Sequence, residues 1–210
     1  MVYNDQITLE YYLPKDVATQ GVISISQIVH GYRYINVTEN TKDDPLRCQV
    51  DINCSEGLQW QREKNAVARI LISGGRWCTG ALINNTANDD TPYFLTADHC
   101  LSGHDAERDP YMDDYIFYWN YESPDCNNPT IVLPTCSTTR ATVVANAIRS
   151  DFALLLLEDD PKDHPDILPY YLGWDASGSP GPAAGGVGIH HPMGSVKKIS
   201  TYSTLPRDSR

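Results

Sequence analysis

The chain has 210 residues, of which 41% are hydrophobic and 10% aromatic, so it carries enough apolar side chains for a sizeable folded core. Its 27 acidic and 16 basic residues give a net charge of −11, and because nucleic acid and anionic membrane surfaces would repel such a chain, neither is an expected partner. The sequence contains no apolar run of about 20 residues, the length that would span a membrane.

The six cysteines indicate an oxidising compartment. None of them forms a C-x-x-C pair, the spacing typical of zinc sites, and cysteines placed in this way suit disulfide bonds. We therefore expect neither a metal site nor a cofactor. Met1 is not followed by a basic segment and a short apolar run, so the signal peptide of a secreted protein is expected upstream of Met1.

Residues 1–42 are interpreted as a separate N-terminal piece. Apolar and polar residues alternate from Ile7 to Leu13, and a second β-like run extends from Val22 to His30, a pattern that predicts a hairpin or a small sheet. His30 is expected only to pack. The polar segment 36–45 predicts an exposed linker that proteases can cut. An ordinary N-terminal β-domain is the alternative interpretation.

The stretch from Cys78 to Cys100 predicts two strands and a fixed histidine. The small-residue strand CTGALI begins at Cys78, an Asn/Asp-rich loop at residues 84–90 turns the chain, and a second strand follows at residues 93–97. His99 would then stand at a strand end, where a disulfide between the two cysteines would hold its imidazole as firmly as a catalytic base requires. A buried structural histidine is the alternative, but it leaves the flanking cysteine pair unexplained.

The remaining predicted strands lead to a candidate carboxylate. They are expected at residues 66–73, 115–123, 141–148 and 153–157. Asp151 lies just before the last of these strands, the uninterrupted apolar run at residues 153–157. A buried carboxylate here could accept the Nδ1 proton of His99 and so fix the tautomer of the imidazole. An aspartate that only caps the strand is the alternative.

Other ionisable residues are weaker candidates. His190 and His191 are neighbours in a predicted strand, so their side chains would point to opposite faces, and a structural or turn role is expected. Solvated side chains are expected for the residues of the loop after His99 and of a Pro-rich connector, namely His104, Asp159, Asp160 and Asp163.

The motifs CTGALI and TADHC, in this order and at this spacing, resemble the chymotrypsin-like serine proteases, in which a C-x-G-x-L-I strand is followed by T-A-x-H-C. SDFALLLLE resembles the aspartate motif of that family, and residues 1–42, the segment from Cys48 and GGVGIHHPMGSVKKIS resemble its lysyl endopeptidase branch. The resemblance implies an all-β fold, a chymotrypsin-like double β-barrel. A pro-segment at 1–42 would precede a complete six-stranded barrel at 43–168 and the start of a second barrel at 169–210.

The resemblance also implies roles for individual residues. His99 and Asp151 would be two members of a Ser-His-Asp triad in the precursor of a secreted, bacterial serine endopeptidase. Processing would follow Lys42, or alternatively Arg47. Disulfides are implied for Cys54 with Cys126 and for Cys78 with Cys100; Cys48 would pair with a cysteine of the second barrel, and Cys136 has no assigned partner. The expected partners are polypeptide substrates and the pro-segment bound to its own protease domain, in a monomer.

The nucleophilic serine is the member of the triad that the sequence leaves unassigned. In this fold it lies inside the second barrel, whereas Ser179 follows Asp151 by only 28 residues (179 − 151), too few for most of that barrel's strands. We therefore expect the nucleophile, oxyanion hole and specificity pocket beyond Arg210, and we expect residues 1–210 to be inactive alone. A preference for lysine in the substrate rests only on analogy with the family.

Two alternative functions remain. One is a protease-like binding or adhesion module without a nucleophile, and the other is a small β-domain inhibitor or chaperone.

Overall fold

Short strands and single turns of 3₁₀ helix make up the described part of the chain. A computed structural model describes residues 8–15, 21–25, 49–72, 75–126, 132, 136–177 and 185–203. The strands are β1 (Val50–Asp51), β2 (Val67–Ile72), β3 (Arg76–Ile83), β4 (Tyr93–Thr96), β5 (Tyr111–Trp119), β6 (Cys136–Ala147), β7 (Phe152–Leu157), β8 (Gly186–His190) and β9 (Lys198–Tyr202). The 3₁₀ helices are Ser55–Trp60, Glu63–Ala66, Asp98–Leu101, Ile148–Ser150, Pro161–Asp163 and Pro192–Gly194. Within these ranges, no helix has the length and apolar character needed to cross a membrane.

The chain divides into two units, residues 1–30 and residues 31–210. In the first unit, the described residues 8–15 and 21–25 form no strand, so the hairpin predicted there is not found in them. Their apolar side chains face solvent, with Leu9 60% and Val22 93% exposed. Because a two-stranded hairpin without a buried face is marginal in water, alternation alone does not produce a sheet here.

Six antiparallel strands of the second unit close into a barrel in the order β2-β3-β4-β7-β6-β5. This confirms the all-β fold with a six-stranded barrel. The predicted strand positions hold for β2, β3, β4 and β7, but β5 begins at Tyr111 and β6 at Cys136, four and five residues before the predicted starts at 115 and 141. Each of the two contains a register shift, and such bulges interrupt the alternation from which strand ends are read.

The barrel interior is filled by alternate side chains of the strands. Phe94 is fully buried at the centre of the barrel. The centroid of its ring lies 5.2 Å from that of Phe117 and 6.1 Å from that of Trp119, and both contacts are edge-to-face. Gly80 faces this ring, and a Cβ there would lie 2.2 Å from Phe94 Cε1. The small residues of CTGALI therefore make room for the central aromatic side chain.

A second, three-stranded sheet has the order β1-β9-β8. Residues Val50 and Asp51, which lie in the segment predicted to form the first barrel, pair instead with Ile199 and Lys198 of β9. The Asp51 carboxylate and the Lys198 ammonium are both buried and form an ion pair. Two charges can be removed from water at this place because each neutralises the other.

The outer face of β2 joins the barrel to the turn that follows β8. Arg69 is buried there, and its guanidinium lies 4.1 Å from the ring centroid of Trp77 and 3.7 Å from that of Tyr121. Its Nη1 donates a hydrogen bond of 2.8 Å to the carbonyl of Gly194. Stacking between aromatic rings lets this cation be buried, and the contact fixes the second sheet against the barrel.

Candidate active site

His99 lies in a turn of 3₁₀ helix, Asp98–Leu101, immediately after β4 rather than in the strand end itself. Ala97 is still extended before this turn, and Ser102 leaves it with a left-handed φ of 54°. Tyr115 of β5 donates a hydrogen bond of 3.1 Å from its hydroxyl to the carbonyl of Cys100. Strand β5 of the barrel therefore supports the turn, while the side chain of His99 points to solvent.

Two disulfides are present among the described residues. Cys78 and Cys100 have Cα atoms 6.2 Å apart, and Cys54 and Cys126 have Cα atoms 4.6 Å apart, both within the ordinary range for disulfides. These are the pairs that the resemblance implies. Of the remaining cysteines, Cys48 lies outside the described residues, and the sulfur of Cys136 lies 3.7 Å from the carbonyl of Asp166.

Asp151 ends the 3₁₀ turn Ile148–Ser150 and precedes β7. Its φ of 51° and ψ of 42° are left-handed, a conformation that aspartate tolerates better than most residues. The turn directs the carboxylate back across the barrel rim, because Thr96 at the end of β4 is paired with Ala153 near the start of β7. The strand pairing thus brings His99 and Asp151 together although 52 residues separate them.

The carboxylate of Asp151 holds the histidine at two points. Its Oδ1 accepts a hydrogen bond of 2.9 Å from the backbone N–H of His99, and its Oδ2 lies 2.8 Å from the imidazole Nδ1. The backbone N–H and, after it, the ring lower the pKa of Asp151, so the carboxylate is ionised at neutral pH. An ionised carboxylate at Nδ1 favours a proton there, which leaves the Nε2 lone pair available to act as a base.

The pair is more exposed than the sequence predicted. The side chain of His99 is 67% exposed and that of Asp151 is 53% exposed. The prediction of a buried carboxylate is therefore wrong for this structure, because both residues lie on turns beyond the last paired residues of β4 and β7. In this setting water weakens the electrostatic interaction between the carboxylate and the imidazole.

The other histidines among the candidates are placed differently. His191 is only 4% exposed, its Nδ1 lies 2.9 Å from the carbonyl of Ser195, and its ring stacks on Tyr121, which agrees with the structural role predicted for it. Burial, followed by the charge of Lys197, holds the pKa of His191 well below its usual value. The prediction of a solvated His104 is wrong: its side chain is 20% exposed and its Nδ1 lies 3.2 Å from the Asp109 carboxylate.

Two further candidates, Lys42 as a processing site and Ser179 as a serine among small residues, lie outside the described residues. One group of possible metal ligands consists of Cys78, His99 and Cys100, whose donor atoms lie within 4.8 Å of one another. The two sulfurs are bonded to each other, so they do not offer the thiolates that a metal would need.

Two polar residues beside the pair were not singled out from the sequence. The Oδ1 atom of Asp98 accepts a hydrogen bond of 2.7 Å from Nδ2 of Asn146, and the Oδ1 atom of Asn146 accepts one of 3.2 Å from the amide of Ala106. The only signal in the sequence is that Asp98 occupies the x position of T-A-x-H-C. Asn146 carries no such signal, since it lies 48 residues further along the chain.

Comparison with known proteins adds the family context. The sequence model of the family described as "Lysyl endopeptidase, C-terminal domain" matches residues 43–209. A lysyl endopeptidase of Pseudomonas aeruginosa is 29% identical over 219 aligned residues, which cover 95% of this chain and 44% of that protein. The chain therefore spans less than half the length of this curated relative.

Proposed function

The chain belongs to the lysyl endopeptidase C-terminal domain family, and on that premise we propose that it supplies the general base and the orienting carboxylate of a serine endopeptidase. The observation that carries the proposal is the two-point contact of Asp151 with His99, 2.9 Å to the backbone N–H and 2.8 Å to Nδ1. The contact to Nδ1 orients the ring, and the contact to the backbone N–H holds the turn that carries it.

The proposed chemistry is acyl transfer. A serine hydroxyl within about 2.6 to 3.2 Å of His99 Nε2 gives its proton to that nitrogen as its oxygen attacks the peptide carbonyl carbon. The tetrahedral intermediate collapses when the imidazolium returns the proton to the leaving amine, and the C–N bond breaks to give an acyl-enzyme. Water then repeats the sequence, again with His99 as base. The Asp151 carboxylate stabilises the imidazolium in both halves and stays ionised.

We assign the nucleophilic serine to chain beyond residues 1–210. In a double barrel the nucleophile lies inside the second barrel, and the second sheet described here contains three strands, one of them, β1, from before the first barrel. Ser179 lies before β8 and β9, so it precedes most of that sheet. In this proposal the backbone donors that stabilise the oxyanion, each worth roughly 3 to 4 kcal/mol, also lie outside residues 1–210.

The proposal also covers the location, maturation, substrates and oligomeric state of the enzyme. Two disulfides suit an extracellular protein. We further propose that residues 1–42 are a pro-segment removed by cleavage after Lys42, that the substrates are polypeptides, and that cleavage follows lysine, as the name of the Pseudomonas aeruginosa relative says of that protein. The protein is proposed to act as a monomer.

Peptide-ester hydrolysis tests the proposal. Purified residues 1–210 and the longest natural reading frame that contains them are assayed with lysyl, arginyl and bulky-apolar esters. We expect turnover only from the longer protein, with lysyl esters preferred. His99→Ala should lower its kcat by about four or more orders of magnitude, and Asp151→Asn by about four, through loss of the productive tautomer.

Thr142→Val is the matched control, because Thr142 lies on β6 with an exposed hydrogen bond of 3.3 Å to Glu158; it should leave kcat unchanged. Turnover by residues 1–210 that survives His99→Ala would overturn the proposal. Turnover abolished by Ser179→Ala would place the nucleophile at Ser179 instead. A longer protein without turnover, but with saturable peptide binding, would indicate a binding module.

A further inference from the structure

We propose that Asn146 is a positioning residue for His99: through its hydrogen bond to Asp98 it holds the turn that carries the histidine and keeps a second carboxylate away from the imidazole. This inference rests on the proposed role of His99 as a base. It concerns a residue on a different strand, which touches neither His99 nor Asp151 among the hydrogen bonds of the described residues.

A β-bulge aims Asn146 at the turn. Val143 of β6 is paired with Leu155 of β7, and Ala145 is paired with Leu154. Residue 144 therefore lies between two consecutive pairs, so β6 has one residue more than β7 at this place. Directly paired residues share a face of the sheet, and Asn146 is paired with Ala153, which is fully buried inside the barrel. Without the extra residue, the alternation would place Ala145 opposite Ala153 and turn Asn146 outwards. The bulge therefore places an amide at the inner rim.

The orientation of that amide is fixed by two partners. The backbone N–H of Ala106 donates to Asn146 Oδ1 over 3.2 Å, so Nδ2 must be the atom that faces Asp98. The resulting contact of 2.7 Å is a hydrogen bond to an ionisable acceptor, and both side chains are partly buried. Such hydrogen bonds are among the stronger ones in proteins.

The position of Asp98 makes this contact consequential. Asp98 directly precedes His99 in the turn, and its backbone N–H, like that of His99, contributes to the lowered pKa of Asp151. If its carboxylate were released, it would become a second acceptor beside the exposed imidazole, one that could accept from Nε2–H and so favour the tautomer that the Asp151 contact disfavours. Movement of the turn would also disturb the backbone contact that His99 makes to Asp151.

Ring ¹⁵N chemical shifts of His99 provide a readout that does not depend on peptide hydrolysis. They distinguish the Nδ1–H tautomer, which Asp151 should favour, from the Nε2–H tautomer. Asn146→Leu removes the hydrogen bond at similar volume, and Asn146→Asp places two carboxylates against each other. For both variants we expect the ratio of Nδ1–H to Nε2–H tautomer to fall by about two- to fivefold, the factor that corresponds to loss of the contact between Nδ1–H and Asp151 in a pair that is this exposed.

The rescue variant is Asp98→Asn combined with Asn146→Asp. It restores the hydrogen bond with donor and acceptor exchanged, and the new carboxylate at position 146 can still accept from the Ala106 amide. We expect it to return the tautomer ratio to the wild-type value. Asp98→Asn alone should also keep the ratio, because an asparagine oxygen can accept from Asn146. In an active protein, the two disruptive variants should lower kcat about 10- to 100-fold with KM little changed.

Thr142→Val on the same strand serves as control and should leave the tautomer ratio unchanged. A wild-type ratio in both Asn146→Leu and Asn146→Asp would overturn the inference, even if thermal unfolding showed that both were destabilised. Failure of the exchanged pair to restore the ratio in a folded protein would overturn it as well. Because the ratio is measured without substrate, an inactive protein with the expected ratios would refute the proposed function and leave the positioning role standing.

Discussion

Lys197 gives the stability of this fold an unusual dependence on pH. Its side chain is fully buried, its Nζ donates a hydrogen bond of 2.8 Å to the carbonyl of Lys64, and it lies 3.5 Å from Glu122. Burial lowers the pKa of Lys197 from 10.5 to about 8, although the Glu122 carboxylate acts in the opposite direction. Lys197→Met removes the titrating group while keeping a long unbranched side chain.

The direction in which stability changes with pH follows from the number of protons bound in the folded and unfolded states. Between the folded pKa of about 8 and the ordinary value of 10.5, the unfolded chain holds a proton on Lys197 that the folded chain has released. The contribution of Lys197 to stability is therefore present above 10.5 and is lost as the pH falls towards 8. At about 1.36 kcal/mol for each pKa unit, the full change is on the order of 3 kcal/mol.

The assay is urea unfolding of wild type and Lys197→Met, with disulfides intact, at several values from about pH 7.5 to about pH 10.5. We expect the wild-type free energy of unfolding minus that of the variant to rise by about 3 kcal/mol over this range. Taking the difference cancels the titration of tyrosines, which both proteins share. Lys162→Met, at a half-exposed lysine, should give a flat difference up to about pH 9.5. A flat or falling difference for Lys197→Met would refute the reasoning.

Three further outcomes follow from the fold. Replacing Cys78 and Cys100 together by alanine should lower the free energy of unfolding by about 3 kcal/mol, because the bridge closes a loop over a separation of 22 residues; chemical denaturation measures this. Leu155→Ala, at a fully buried barrel position, should cost about 2 to 5 kcal/mol in the same assay, and a cost below about 1 kcal/mol would contradict the packing described here. His191→Phe should reduce the loss of stability below about pH 6.5, since a buried neutral histidine favours folding above its ordinary pKa and loses that contribution as the pH falls; equal acid sensitivity in both proteins would contradict this.

The barrel was predictable from the sequence because its strands carry local signals. Apolar alternation and small residues mark β3, and the apolar run at residues 153–157 marks β7. The pairing of His99 with Asp151 was inferred from the resemblance and from the need of a catalytic imidazole for a carboxylate. Their exposure was not predictable in this way, since it depends on how far the two turns extend beyond the paired strands.

Features that depend on distant partners were missed. Lys197 and Lys198 look like ordinary surface charges in the sequence, yet both are buried, because their partners Lys64 and Asp51 come from 133 and 147 residues earlier in the chain. The bulge that aims Asn146 inwards shifts the register by one residue within β6, and local propensity carries no sign of it. Long-range pairing decided these features.

Covalent labelling of the natural protein that contains this chain tests the central claim most directly. A fluorophosphonate reacts with a serine only when a base activates its hydroxyl, and peptide mapping identifies the labelled residue. We expect one labelled serine outside residues 1–210, with a labelling rate that falls by about three or more orders of magnitude in His99→Ala and is unchanged in Thr142→Val. Labelling that is indifferent to His99, or no labelling of a folded, processed protein, would contradict the assignment of His99 and Asp151 as the base and the orienting carboxylate of a serine endopeptidase.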